Sequence, residues 1–299
     1  ALRLVGSEMC IRDRMEKDPA WNAKRDRVRK AWLAANPGYE YILWTNRSIR
    51  TLLGASDVLN DLNGLSGAEW SDISLGEVNG NEPGSRSFKE IAFRSVIGNR
   101  SLAAALLSAY DMLLPYSFKS DAARYAVVGM MGGWYMDLDV VPASLDCVPV
   151  PESSQLFAAI DIAGRENPKP TNRLLAGAIG APAAHPIIIQ AAARLIANVE
   201  ARAMPTKPVD LTGPGVLGAA ANHHLHRSVD TVFSKTDSSG ALALMRSHFC
   251  QRSHMHVIYD GLEVVLAVNQ SYKRRDSTQR YTSLYSQGRR AVYRDWEGA

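Results

Sequence analysis

The chain of 299 residues contains three cysteines, Cys10, Cys147 and Cys250, too few for a disulfide framework. Cys147 and Cys250 read as small buried residues. No apolar run reaches the roughly 18 residues that a membrane-spanning helix needs; the stretches around Ala158-Ala159-Ile160 and from Ala176 to Ala184 are cut by Asp161 and Pro182. No basic start followed by an apolar h-region marks a signal peptide. Aromatics are not interleaved with basic residues in the manner of a nucleic-acid binder, so no nucleic-acid partner is expected. No internal repeat is present. What is there is ordinary for a globular protein: 46% hydrophobic and 21% charged residues, enough for a large core in one large or two small domains. The net charge of +4 is spread along the chain, with local density at Lys24 to Lys30 and from Lys273-Arg274-Arg275 to Arg289-Arg290. That balance suits an anionic nucleotide or an anionic membrane surface, and equally a set of solvated helix faces.

The most informative stretch runs from Ser120 to Val140. Asp121 and Arg124 are three apart within a segment of helical spacing, so both side chains leave one helix face. Gly132-Gly133 ends the helix, and Trp134-Tyr135-Met136 reads as a short buried strand. Asp137 and Asp139 follow where that strand runs out, and residues two apart on a strand share a face. Two carboxylates on one face repel, and a hard cation such as Mg²⁺ or Mn²⁺ relieves the repulsion while leaving positions for phosphate oxygens. The planar fork of Arg124 suits phosphate or sugar oxygens, or an ion pair with Asp121. Trp134 reads as core.

Around this unit, Ala20 to Ala35 reads as a basic amphipathic helix, Tyr39 to Thr45 as a strand, Ser48 to Leu53 as a helix and Leu102 to Leu114 as another. Leu59 to Arg100 is polar and glycine-rich without a period, and is read as an insertion or lid. Leu156 to Ile162 reads as a strand and Ala184 to Asn198 as a helix opened by His185-Pro186. Val209 to His224 reads as a loop and helix, and His254 to Tyr259 with Glu263 to Val268 as a hairpin about Asp260-Gly261. His223, His224 and His226 cannot all converge on one metal from a helix, so a solvent-facing or capping role is expected. Thr212-Gly213-Pro214-Gly215 is read as a turn opening a helix, its amides available to an oxygen ligand. Alternating strands and helices with carboxylates at a strand end indicate an α/β layered architecture.

The residues Ser120 to Val140 resemble the signature of the DXD-motif glycosyltransferases of family 32, relatives of the fungal initiating α-1,6-mannosyltransferases and, more distantly, of the glucosylating clostridial toxins. The segment from Asn36 to Thr45 resembles the family's second strand, and Asn172, Ala184-His185-Pro186 and Thr212-Gly213-Pro214 resemble later landmarks. The resemblance implies a GT-A-type nucleotide-diphospho-sugar transferase fold, a central mixed sheet flanked by helices. The donor half is placed at residues 15–150 and the acceptor-facing half at 151–299. It implies Asp139 as principal metal ligand and Asp137 on the metal or the ribose. Asp121 and Arg124 would bind donor sugar and diphosphate, and Tyr135 would pack beside the nucleotide. The implied cofactors are Mn²⁺ or Mg²⁺ and a UDP- or GDP-hexose carrying mannose, galactose or glucose; the partner is a glycan or lipid-linked acceptor, and the implied outcome is retention. A cytoplasmic setting is expected, with peripheral association at the inner membrane compatible with the charge.

Two departures qualify that reading. Residues 1–14, with Ser7-Glu8-Met9-Cys10-Ile11-Arg12-Asp13-Arg14, resemble translated sequencing adapter and are read as non-native. The family's apolar first strand is therefore expected to be missing from the sheet. Near the end, Gln279-Arg280-Tyr281 stands where relatives carry a histidine before a tyrosine, and Arg280 can pair with a diphosphate but cannot ligate a metal. Two other classes stay in view. Asp137-Leu138-Asp139-Val140-Val141 also resembles the nucleophile strand of haloacid-dehalogenase-type phosphatases, with Asp137 as nucleophile; that class needs a later acidic pair, and none stands before Asp210. A catalytically inactive glycan-binding module is the other.

Overall fold

The computed structural model describes residues 2–7, 19–37, 39–44, 46–54, 102–137, 140–142, 155–163, 169–234, 237, 242–250, 254–259, 262–268 and 285–294. The segment from Leu59 to Arg100, the Asp260-Gly261 turn, Asp139, and the stretch holding Lys273 to Arg280 lie outside these. In chain order the described elements are β1 (Leu2–Ser7), α1 (Pro19–Ala35), β2 (Tyr39–Trp44), α2 (Asn46–Gly54), α3 (Leu102–Met112) and α4 (Tyr116–Met131). There follow β3 (Gly133–Asp137), β4 (Val140–Pro142), β5 (Leu156–Ala163), β6 (Lys169–Ala181) and α5 (Pro186–Glu200). A 3₁₀ turn (Pro208–Asp210), α6 (Pro214–His224), β7 (Leu242–Cys250), β8 (His254–Tyr259), β9 (Leu262–Val268) and α7 (Arg289–Val292) complete them.

Among the described residues the strands form one mixed sheet in the order β2-β1-β3-β6-β5-β7-β8-β9-β4. β1 runs parallel to β2 and β3, β6 is antiparallel to both β3 and β5, and β5 is parallel to β7. The β8–β9 hairpin forms as its Asp-Gly centre predicts. The expectation of a missing first strand is corrected: Leu2–Ser7 stands between β2 and β3 and pairs with both. The physical reason is that β2 and β3 do not pair with each other, so without β1 each would present a row of unpaired backbone N–H and C=O groups. β6 and β7 are strands that the sequence pattern does not announce; β6 carries Gly177 and Gly180 among its alanines and leucines, which dilutes the apolar alternation.

Helices α3, α4 and α5 form the principal helical layer. Their small residues Ala103, Ala105, Ala109, Ala122, Ala123, Ala126, Ala191 and Ala192 are buried to 2% exposure or less. Alanine keeps backbones close without losing side-chain entropy. α4 stops at Gly132, whose φ of +65° is costly for any residue with a side chain and whose N–H donates to the Val128 carbonyl. A Cβ there would lie 2.7 Å from the Ala183 nitrogen, so glycine is required twice over. At the start of α5, His185 caps the helix by accepting from the Ile187 N–H, with Pro186 in the first turn. No helix among the described residues is long and apolar enough to cross a membrane.

Candidate active site

α4 and β3, joined by the Gly132-Gly133 turn, bring Asp121, Arg124, Tyr135 and Asp137 together. The Arg124 guanidinium lies between two carboxylates, its Nη2 3.0 Å from Asp121 Oδ1 and 3.4 Å from Asp137 Oδ1. The same nitrogen is 3.3 Å from Ser120 Oγ, and the guanidinium sits 5.0 Å from the centre of the Tyr135 ring. The Tyr135 hydroxyl donates to Asp137 Oδ1 at 2.8 Å. Arg124 is 4% exposed and its Nε has no hydrogen-bond partner. The ion pair with Asp121 is thus formed, and it leaves Arg124 with a donor to spare.

The other wall comes from later in the chain. Thr212 donates its hydroxyl to Asp121 Oδ2 at 2.7 Å, and the Tyr125 hydroxyl donates to the Gly213 carbonyl at 3.1 Å. Glycines make the approach possible. A Cβ on Gly213 would stand 2.9 Å from Asp121 Oδ2, and one on Gly177 would stand 2.8 Å from Asp137 Oδ2. Asp137 Oδ2 lies against Gly177, whose missing side chain makes room for it, while its Oδ1 is held by Tyr135 and Arg124. A carboxylate oriented through one oxygen, with lone pairs left on the other, has the chemistry of a ligand to a hard cation.

Burial pushes the Asp121 carboxyl up; Arg124 and Thr212 oppose that and Asp137 adds to it. Burial also works against the Arg124 charge, but Asp121, Tyr135 and Asp137 around it raise its pKa well above the ordinary value. Tyr125, buried and near Asp121, is raised as well and stays a neutral donor. The arrangement is a fixed cation between two acids at the end of β3, with little water to screen it.

Of the residues expected from sequence, Asp121, Arg124, Tyr135 and Asp137 converge, and Asp139 and Arg280 lie outside the described residues. Trp134 is fully buried and tilted against Phe157, as a core residue should be. Tyr135 is also fully buried, so its polar contribution to the site is made through Asp137. Among the described residues no group of three potential metal-binding side chains occurs, at His223, His224 and His226 or elsewhere. Asp210 is engaged by Arg173 in a bidentate ion pair of 2.8 and 3.1 Å. Sequence pattern gives no sign of Gly177 and assigns Thr212 no specific partner; the Thr-Gly-Pro turn is the one available signal.

Residues 23–149 match the family model described as the glycosyltransferase sugar-binding region containing DXD motif. This stretch is a DXD-type glycosyltransferase region. Similar solved structures include "PaToxG Glycosyltransferase", at 12% identity over 75% of this chain and 69% of that one, with a TM-score of 0.41. Another is the ligand-free glycosyltransferase domain from the YGT toxin, at 12% identity over 79% and 80%, with a TM-score of 0.37. No curated protein matches the chain. The transferase assignment rests on the matched region, and the α4–β3 cluster lies inside it. Gly177, Thr212 and Gly213 lie beyond its end, so the cluster draws on both sides of residue 149.

Proposed function

We propose that this glycosyltransferase moves a hexose from a UDP- or GDP-linked donor to a hydroxyl on a glycan or lipid-linked acceptor, in a GT-A-type arrangement and with retention. The observation that carries the reading is Arg124, a desolvated cation fixed beside Asp137 with Nε unused. In this reading Nε and the rest of the fork receive the donor diphosphate, where negative charge grows as the sugar leaves. Preorganised charge of this kind usually contributes more to the rate of such a reaction than any other single effect. Asp121 is held by Arg124 and Thr212 in one rotamer, from which it accepts hydrogen bonds from donor sugar hydroxyls. Tyr135 orients Asp137 by donating to Oδ1. Asp137 and Asp139 would hold a divalent cation, Mn²⁺ or Mg²⁺, which when bound supplies positive charge to the leaving diphosphate.

In this reading residues 15–150 bind the donor and 151–299 face the acceptor, with Thr212 closing the donor site from the second half. The experiment is hydrolysis or transfer from a panel of UDP- and GDP-hexoses with Mn²⁺, with Mg²⁺ and with EDTA. Release of one nucleotide in a metal-dependent manner is expected, and Asp139→Ala is expected to abolish it. Undiminished turnover by that variant, or equal turnover in EDTA, would sink the metal assignment. No release from any donor would sink the proposed reaction.

A further inference from the structure

A second buried arginine stands apart from the α4–β3 cluster. Arg194, on the α5 face that packs against α6, is 8% exposed, and its Nε and Nη2 are buried with no hydrogen-bond partner. Among the described residues no carboxylate offsets it: burial holds its pKa down, to about 10. Its surroundings are cationic or neutral. Gln190, one turn earlier on α5 and 5% exposed, meets His223 Nδ1 with its side-chain nitrogen. With the Gln190 amide donating to Nδ1, the His223 proton resides on Nε2, which then presents a donor. Burial first, and then the charges of Arg194, His226 and His224, keep His223 below its ordinary pKa; His224 is lowered by burial and His226.

The cluster therefore leaves two buried guanidinium donors without a partner and, among the described residues, supplies no anion to balance the charge. A charge buried without a partner is costly even after relaxation, and buried guanidinium nitrogens are seldom left without an oxygen. A small hydroxylic ligand would satisfy hydrogen bonds but not the charge; an oxyanion satisfies both. Tetrahedral phosphate suits a forked donor set best, since two of its oxygens can take Nε and Nη2 at once and its charge balances the guanidinium. We propose that Arg194, with His223 beside it, forms a binding site for a phosphate group at the α5–α6 interface. The site is distinct from the Arg124 cluster and stands whether or not the transfer reaction proposed above is correct.

The test titrates inorganic phosphate into the full chain at constant ionic strength, balanced with chloride and without any sugar nucleotide. It follows the Arg194 Nε–H and His223 imidazole NMR signals together with Tm. Phosphate should shift both signals and raise Tm, and Arg194→Met should weaken the response at least tenfold. Arg194→Lys, which keeps the charge and loses the fork, should bind several-fold more weakly than wild type and keeps the test alive if the Met variant misfolds. Without phosphate, Arg194→Met should be no less stable than wild type, because an uncompensated charge has been removed. An Nε–H signal unmoved by phosphate overturns the proposal. So does an undiminished response in Arg194→Met, which would place the phosphate elsewhere. Sedimentation with phosphatidic-acid vesicles but not phosphatidylcholine vesicles, lost in Arg194→Met, would assign the phosphate to a lipid headgroup; binding of inorganic phosphate without sedimentation would assign a soluble one.

Discussion

Arg124 and Arg194 are both buried helical arginines, yet their surroundings are opposite. Arg124 sits between Asp121 and Asp137, with Ser120 and the Tyr135 ring completing its shell, and its charge is reinforced. Arg194 has no acid near it among the described residues, and its charge is weakened. The first belongs to a network whose counter-charges the protein supplies; the second keeps two buried donors unpartnered, with no counter-charge among the described residues. Burial alone does not distinguish a cation whose charge is balanced from one whose charge is not. The sign and distance of the neighbours do.

The comparison breaks most directly if Arg124 is truncated. Arg124→Met strips the partner from Asp121 and leaves a buried carboxylate, which costs about 3–5 kcal/mol of stability. Urea unfolding of Arg124→Met and Arg194→Met side by side should show a large loss in the first and none in the second. In transfer assays the loss of Arg124 is expected to cost about 2.7–4 kcal/mol in the barrier, the amount associated with one oxyanion donor. Next in size is Thr212→Val, which keeps the shape but leaves Asp121 Oδ2 without its 2.7 Å bond, for about 1–3 kcal/mol. Thr212→Ser should recover most of it, and failure to do so would mean that the methyl group, not the hydroxyl, matters. Gly177→Ala should have the smallest effect on folding and still harm the site. Its Cβ would be 2.8 Å from Asp137 Oδ2, and Asp137 cannot yield without leaving Tyr135 and Arg124. Weaker Mn²⁺ dependence at nearly unchanged Tm is the expected result, read by metal titration of donor turnover; unchanged metal response would remove Asp137 Oδ2 from the proposed ligand set.

The parts of this molecule legible in its sequence are those set by local rules. Helical spacing puts Asp121 and Arg124 on one face, a glycine pair marks the end of α4, and Asp-Gly marks the β8–β9 turn. The α/β layering follows from the alternation of elements. What is not legible depends on who meets whom across the fold. Thr212 is 91 positions from Asp121, and nothing in either segment alone announces the bond. Gly177 is meaningful only because Asp137 lies against it. β6 is hidden because its glycines, needed against Trp134 and Asp137, thin the very pattern by which strands are recognised. β1 is misjudged when the origin suggested by its residues is weighed above the pairing that its neighbours require. Arg194 carries no motif at all, and its isolation is a property of packing.

The bond from Thr212 to Asp121 also has a meaning in time. During synthesis α4 and β3 leave the ribosome well before Thr212 does, at roughly 5–20 residues per second. For those seconds Asp121 has Arg124 but lacks its second hydrogen bond, and the glycine that allows the close approach, Gly213, has yet to be made. The nascent polypeptide therefore holds an unfinished pocket until α6 begins to form.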